Sequence, residues 1–327
     1  MSKKKLTRFY EQFTGDDQVL IPIIADPDAL ASAMAVKRLL WRKTAGITIA
    51  HINTVKRPDN LAMIRLLGVK SVPVKEIDPT KFTKTVLVDA QPNHNDAFSK
   101  FEPDVIIDHH PDSCDEVEYE VEYKDIRPKY GATASILLEY LKTAKIKPST
   151  RLATALYYAI RTDTDNFNRK AVYEDVRAFQ YLFPLANIQI VRKIEAAEMR
   201  PGFLRFFKTA IDNRKKRKGW MFSHLGAVPS PDILVIIADF FLRIDDVNWS
   251  IVSGTNGNKL IVIFRSFGYR RNAGKVAEKA FGELGSAGGH KSAARAEISL
   301  SVVKENVNCE AENKLANWII SQIQKKK

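Results

Sequence analysis

Val105-Ile106-Ile107-Asp108-His109-His110-Pro111-Asp112 is the stretch from which the rest of the chain is read. Three apolar β-branched residues make a short continuous apolar run, the pattern of a central strand buried on both faces of a parallel sheet. The run ends directly in one acid and two imidazoles. Open α/β sheets bind ligands off the carboxyl ends of their strands, so Asp108, His109 and His110 would emerge at such a place. Successive strand side chains face opposite ways; His109 and His110 can share one job only if the strand has already ended. Taken alone, the triplet is equally a strand cap, with Asp108 accepting backbone N–H groups and the imidazoles filling space.

Three other places shift the balance. Asp26-Pro27-Asp28 follows the apolar run Val19–Ala25, Asp89 ends Thr85-Val86-Leu87-Val88, and Asp163 sits in Arg161-Thr162-Asp163-Thr164-Asp165 after the apolar segment Ala153–Ile160. Several acids and a histidine at the ends of buried segments are costly to gather without a cation. Carboxylate and imidazole donors suit manganese, magnesium or zinc rather than a thiolate-loving metal. A metal site is the reading that follows.

The 327 residues, 45% of them hydrophobic, can bury at least one full core. Cys114 and Cys309 are far apart and offer neither a disulfide framework nor zinc spacing, which fits a reducing cytoplasm. Residues 7–17 are polar where a secretory leader would be apolar. No apolar run approaches the roughly 20 residues that span a bilayer, so a soluble protein with no membrane partner is expected. The formal net charge of +13 favours polyanionic partners. Part of it lies in Lys3–Lys5 and Lys325–Lys327. The internal run Arg214-Lys215-Lys216-Arg217-Lys218 is most simply a solvated face, with nucleic-acid backbone contact as the alternative.

Residues 19–165 alternate strand-like and helix-like segments, the signature of a doubly wound α/β domain with a mainly parallel sheet. Strands are expected at Val19–Ala25, Ile47–Ile52, Val72–Ile77, Thr85–Ala90 and Val105–Asp108. Helices are expected at Ala29–Arg42, Pro58–Leu67, Gly131–Thr143 and Thr150–Ile160. Residues 1–199 form the expected catalytic domain, 200–219 a helical linker, and 220–327 a smaller α+β domain. In the latter, Ile233–Asp239, Trp249–Ser253 and Leu260–Arg265 read as strands, with Asn256-Gly257 a hairpin turn. A helix at Ala273–Phe281, a glycine-rich turn through Gly288-Gly289-His290, a strand at Ala294–Val302 and a helix at Ala311–Ile323 close the chain.

Asp26-x-Asp28, Asp89, Asp108-His109-His110 and Asp163, in that order, resemble the DHH phosphoesterase superfamily. Gly288-Gly289-His290-Lys291-Ser292-Ala293-Ala294, preceded by Arg265-Ser266, is similar to the signature of its DHH-associated C-terminal domain. The motifs span almost the whole chain, and chain length and domain pair resemble the compact NrnA-like nanoRNase/pAp-phosphatase group. The resemblance implies two divalent ions, usually manganese with magnesium as the alternative, bridged by Asp89. Asp28, His109 and Asp163 would complete one ion's shell and Asp26 would hold the other. His110 would face the phosphate, and Asp108 would orient His109. Asp165 is the rival to Asp163, but the Thr-Asp-Thr context selects Asp163. Arg265 and His290 would hold the far end of the substrate, Arg265 through a bidentate contact. Gly288 and Gly289 would let the backbone approach it; an ordinary glycine turn is the other reading. Gly131-Ala132-Thr133 opens a helix that offers N–H groups to an anion or is simply capped.

The sequence departs from the family pattern in one respect. The family's first motif carries a histidine shortly before the paired aspartates, yet no histidine lies between Leu20 and Ser32. The nearby His94 is a substitute or a solvated loop residue. The expected activity is metal-dependent hydrolysis, exonuclease-like, of short oligonucleotides or small nucleotide phosphates in a cleft between domains, with RNA and nucleotide binding implied. Cyclic or linear dinucleotides are the alternative substrates, and a degenerate, non-catalytic nucleotide-binding module is the alternative class. A cytoplasmic location and, for partners, a homodimer are compatible with this reading. One ion site is expected to be weak.

Overall fold

The computed structural model describes residues 1–111, 121–168, 171–196, 201–267, 272–307 and 312–325. The chain divides into two compact units, Met1–Glu198 and Met199–Lys327.

Unit 1 is built on six strands: β1 (Gln18–Ile23), β2 (Gly46–His51), β3 (Ser71–Pro73), β4 (Lys84–Val88), β5 (Val105–Asp108) and β6 (Tyr123–Ile126). Their order is β3-β2-β1-β4-β5-β6 and every pairing is parallel. The chain winds outward from β1 one way and from β4 the other, so the direction reverses between these two central strands. That reversal opens a crevice at their carboxyl ends. β3 is shorter than the expected Val72–Ile77 strand. It stops at Pro73, and a 3-10 turn takes Val74–Glu76, since proline has no N–H for the ladder.

The pleat sorts the strand residues into two faces. Val19, Ile21, Ile23, Val86, Val88, Val105 and Ile107 face the helices α1 (Lys3–Tyr10), α2 (Pro27–Leu39), α3 (Pro58–Leu67), α4 (Thr133–Thr143), α5 (Thr150–Asp163), α6 (Tyr173–Leu182) and α7 (Ile188–Glu195). Leu20, Ala50, Leu87 and Ile106 face the other way onto Phe98 and Phe101. There the connections are 3-10 turns, among them Pro92–His94 and Asp96–Lys100, rather than α-helices. Each such aliphatic side chain, taken fully out of water, stabilises by about 1.5–3 kcal/mol. α3 starts on Pro58 and ends at Gly68 in the left-handed conformation, φ 57°, as its flanking residues predict.

Unit 2 holds a second sheet of β7 (Lys215–Arg217), β8 (Trp220–Ala227), β9 (Trp249–Asn256), β10 (Lys259–Ser266), β11 (Gly285–Gly289) and β12 (Ala293–Ser299), ordered β11-β12-β10-β9-β8-β7. Only β8 and β9 run parallel within it. α8 (Leu204–Asp212) and α9 (Asp232–Phe241) cover one face; α10 (Ala273–Phe281), α11 (Leu300–Asn306) and α12 (Glu312–Lys325) supply the other. The strand expected at Ile233–Asp239 is instead helical. Ile233, Leu234, Ile237, Ala238 and Phe241 are buried, a spacing of one helical face, and a short apolar run does not distinguish strand from buried helix by itself. The strand that lies between β7 and β9 is Trp220–Ala227. The hairpin at Asn256-Gly257 is present, with Gly257 at φ 56°. Within the expected linker, Phe206 and Ala210 of α8 are buried against this sheet and β7 forms its outer edge. The basic run Arg214–Lys218 therefore lies along an exposed edge strand, where lysines blunt pairing with other chains. Among the described residues no helix is long and apolar enough to cross a membrane.

Candidate metal centre

The acids converge at the carboxyl ends of β1, β4 and β5 in unit 1. Asp26 caps α2, its carboxylate accepting from the Ala29 N–H at 2.9 Å. Asp28, in the first turn of α2, points across to α4 and accepts from the N–H groups of Thr133 (2.6 Å) and Ala134 (2.8 Å). The α4 N-terminus, which has no cap of its own, is thus capped by Asp28, and the anion it meets is part of the protein. Asp89 follows β4 in a left-handed conformation, φ 57°, which strains a non-glycine residue. Its N–H donates to Ile107 (3.0 Å) and its carboxylate accepts from the Thr133 hydroxyl (2.9 Å).

β5 ends at Asp108, so both histidines leave the strand and are free to turn to one side. His109 places Nε2 at 3.0 Å from an Asp163 oxygen and 3.5 Å from Asp89. Its Nδ1 lies 3.2 Å from the Tyr130 carbonyl, an acceptor only, so Nδ1 carries a proton, and in the neutral ring Nε2 is the nitrogen that presents a lone pair. His109 Nε2 and Asp163 Oδ2 are both buried, and neither has a hydrogen-bond partner beyond the other. Asp28, His109 and Asp163 hold ligand atoms within 4.8 Å of one another, as do Asp89, His109 and His110. Asp108 accepts from the backbone N–H of His109 (2.7 Å), but its ring partner is His110, whose Nδ1 is 2.9 Å away. Asp163 ends α5, and Asp165, Asn166 and Phe167 all take left-handed conformations just beyond it.

Crowding sets the electrostatics. Burial pushes Asp28 up to about 7, reinforced by the Asp163 and Asp26 charges against His109 and the Ala134 N–H. Burial and Asp163 likewise hold Asp26 up to about 6. Asp89 is raised well above the carboxylate range by burial, then by Asp28, Asp26, Asp163 and Asp108. His109 goes the other way: burial disfavours its charge, but Asp163 and then Asp28 outweigh it and lift the imidazole to about 9. Asp108 is held low, burial being overcome by His110 and Gln91. Acids that resist ionising together, beside an imidazole whose charge they stabilise, form a place where a divalent cation would displace the His109 Nε2 proton.

Three contributors were not legible as motif residues. Gln91, fully buried, donates to Asp108 at 2.7 Å and to the carbonyl of Pro111 at 3.3 Å. The Tyr130 carbonyl carries no side-chain signature at all. Thr133 was legible only as the opening of a helix. His94 packs edge-to-face on His110, ring centroids 5.3 Å apart, and its Nδ1 accepts from the Gln91 N–H at 3.2 Å. In the neutral ring that leaves the proton on Nε2, so His94 presents no ready lone pair to replace the absent first-motif histidine.

In unit 2, Arg265 Nε donates to Asp239 at 2.7 Å and Nη1 to its neighbour's carbonyl. Gly288 and Gly289 lie on β11 rather than in a turn. A Cβ on Gly289, at φ 146°, would meet Ala293 O at 2.4 Å, whereas one on Gly288 would meet open space. His290 is exposed, and its carbonyl accepts from the Gly274 N–H at 2.9 Å.

Residues 19–160 match the DHH family, N-terminal domain. The match covers most of unit 1. The chain is also 35% identical, over 317 residues, to an uncharacterized protein of Methanocaldococcus jannaschii; the match takes in 97% of this chain and 65% of that one, so the chain spans less than two-thirds of the relative. Among solved structures it is similar to an exopolyphosphatase-related protein from Bacteroides fragilis, with a TM-score of 0.69, 15% identity and 98% of each chain covered. RecJ from Thermus thermophilus, in complex with Mn2+, aligns with a TM-score of 0.55 and 10% identity, over 98% of this chain and 54% of that one. At these identities the structures show a shared fold. The DHH triplet of this chain is Asp108-His109-His110.

Proposed function

We propose that this chain is a divalent-metal-dependent phosphoesterase that hydrolyses short oligonucleotides or small nucleotide phosphates, in the manner of nanoRNases and pAp phosphatases. The observation that carries it is the pair His109 Nε2 and Asp163 Oδ2. Both are buried, 3.0 Å apart, without any other hydrogen-bond partner, and flanked by Asp28 and Asp89. Buried acids crowded in this way are costly to ionise together, and a divalent cation in place of the His109 Nε2 proton would offset that cost. The nitrogen-and-oxygen donor set fits manganese, magnesium or zinc. In this reading Asp28, Asp89, His109 and Asp163 hold one ion, and Asp26 with the shared Asp89 holds the second.

Bound divalent ions would supply Lewis acidity and an activated nucleophile at neutral pH. The protein's own residues do the rest. The Tyr130 carbonyl fixes the His109 ring, and Asp108, held by Gln91, fixes that of His110. His110 Nε2 is then the nitrogen that meets a substrate phosphate oxygen. Arg265 and His290 are proposed to grip the far end of the substrate. The incomplete first motif favours one alternative, a non-catalytic nucleotide-binding module.

A manganese-dependent turnover screen over pAp, linear and cyclic dinucleotides, short RNA and polyphosphate tests the proposal. Activity on pAp or short RNA is expected, lost in Asp89→Ala without unfolding. Preference for dinucleotides would move the substrate class. Wild-type turnover in Asp89→Ala would remove the two-ion reading, and no turnover on any substrate would favour the binding module.

A further inference from the structure

The last turn of α2 and the turn that follows it carry Lys37, Arg38, Trp41, Arg42 and Lys43. α2 has 13 residues, so at 1.5 Å per residue this end lies roughly 20 Å from Asp26 and Asp28. Trp41 is 58% exposed, whereas Trp220 and Trp249 are each 8% exposed. The Arg38 and Arg42 guanidinium carbons lie 5.0 and 4.7 Å from its ring centroid, and Lys43 Nζ lies 4.3 Å from that of Tyr10. Lys37 donates to the Ile47 carbonyl. Among the described residues none of these four cations pairs with a carboxylate; Asp17, whose carbonyl accepts from the Ala45 N–H, turns its carboxylate inward to Thr14 and Thr83. Arg42 also takes a left-handed backbone, φ 61°, a strained choice for a non-glycine residue.

We propose that this surface binds single-stranded nucleic acid, separately from the metal centre. A guanidinium stacked on an indole keeps its N–H edges for phosphate oxygens, so Trp41 holds two such forks in place while two lysines add charge. The exposed Trp41 indole is a platform on which an unpaired base stacks, and cationic surfaces with aromatic steps are how single strands are held without sequence readout. An acidic peptide would satisfy the cations and leave the indole without a partner.

The test is fluorescence anisotropy of a labelled single-stranded oligonucleotide titrated with the full chain in chelator, across a range of salt. Without metal no hydrolysis intervenes, so the outcome is independent of the proposed catalytic reading. Trp41→Ala is expected to weaken binding about tenfold. The double variant Arg38→Gln/Arg42→Gln is expected to lower the slope of log K against log salt by about 1.4, two phosphate contacts at about 0.7 each. Trp41→Phe should retain most affinity, and all three should keep the wild-type melting temperature. Lys216→Gln/Arg217→Gln, on the edge strand β7, is the control for net charge. The proposal is overturned if wild type does not bind, if the variants bind as wild type does, if the control loses as much, or if polyglutamate competes as well as the oligonucleotide.

Discussion

Gln91 stands two residues after the strained Asp89, and its amide joins His110 in holding the Asp108 carboxyl low and fixes it beneath His110. Gln91→Leu keeps much of the volume and removes that donor. Residues that orient ligands in this way are worth about 10–100-fold in metal affinity or activity, so a loss of that size in kcat is expected. A manganese affinity and kcat both equal to wild type would reduce Gln91 to packing. The first-motif gap predicts a second measurable effect. One ion has four protein ligands, whereas the other has Asp26 and the shared Asp89, and His94 spends its lone pair on the Gln91 N–H. Calorimetric titration should therefore show one tight and one weak manganese, with activity following the weak one. Two equally tight sites would mean that a further residue completes the shell.

At the scale of elements, the glycine pair on β11 separates two roles that read as one in the sequence. A side chain at Gly289 collides with the backbone of the neighbouring strand β12 and cannot relax, so Gly289→Ala should cost about 1–3 kcal/mol of unit 2 stability. Gly288 faces open space; Gly288→Ala should leave stability intact and change only KM if its N–H meets substrate. Urea melts alongside kinetics decide this, and equal destabilisation by both would assign the whole motif to packing. The same scale shows where pattern reading failed. Asp232–Phe241 is apolar enough to be a strand, and its helical form follows from the sheet it covers. Trp220–Ala227, buried at seven of eight positions, lacks the alternation that marks a one-sided strand.

Across the whole molecule, the two units should respond to pH in opposite senses when metal is removed. In unit 2, buried His224, its Nδ1 at 3.0 Å from Ser253, is pushed down to about 4 by burial. Its folded value lies below the unfolded one of about 6.5, so the stability it contributes is complete above pH 6.5 and is lost as pH falls toward 4. The ceiling is about 3 kcal/mol at 1.36 per unit. In unit 1, Asp26, Asp28 and His109 sit at about 6, 7 and 9, all above their unfolded values. Their contribution is present at low pH and lost as pH rises through those values. Three of the four tryptophans, Trp220, Trp249 and Trp318, lie in unit 2, so calorimetry with tryptophan fluorescence can follow the units apart. From pH 5 to pH 8 in chelator, unit 2 should melt higher and unit 1 lower, with manganese restoring unit 1 chiefly at pH 8. Movement of both transitions in the same direction would refute this.

The alternation of apolar runs and amphipathic segments in residues 19–165 was enough to specify the doubly wound sheet, because burial on both faces leaves a continuous apolar run in each central strand. Acids placed directly after those runs were legible for the same reason, since a parallel sheet gathers strand ends at one edge. What surrounds them was not. The Tyr130 carbonyl that selects the His109 tautomer belongs to the backbone, which every residue shares. The donors that hold Asp28 are N–H groups at the start of a helix more than a hundred residues away. The turning of His109 toward Asp163 and of His110 toward Asp108 depends on β5 stopping at Asp108. Side-chain type is written locally along the chain, whereas hydrogen-bond partnership and lone-pair direction arise only when distant backbone segments meet.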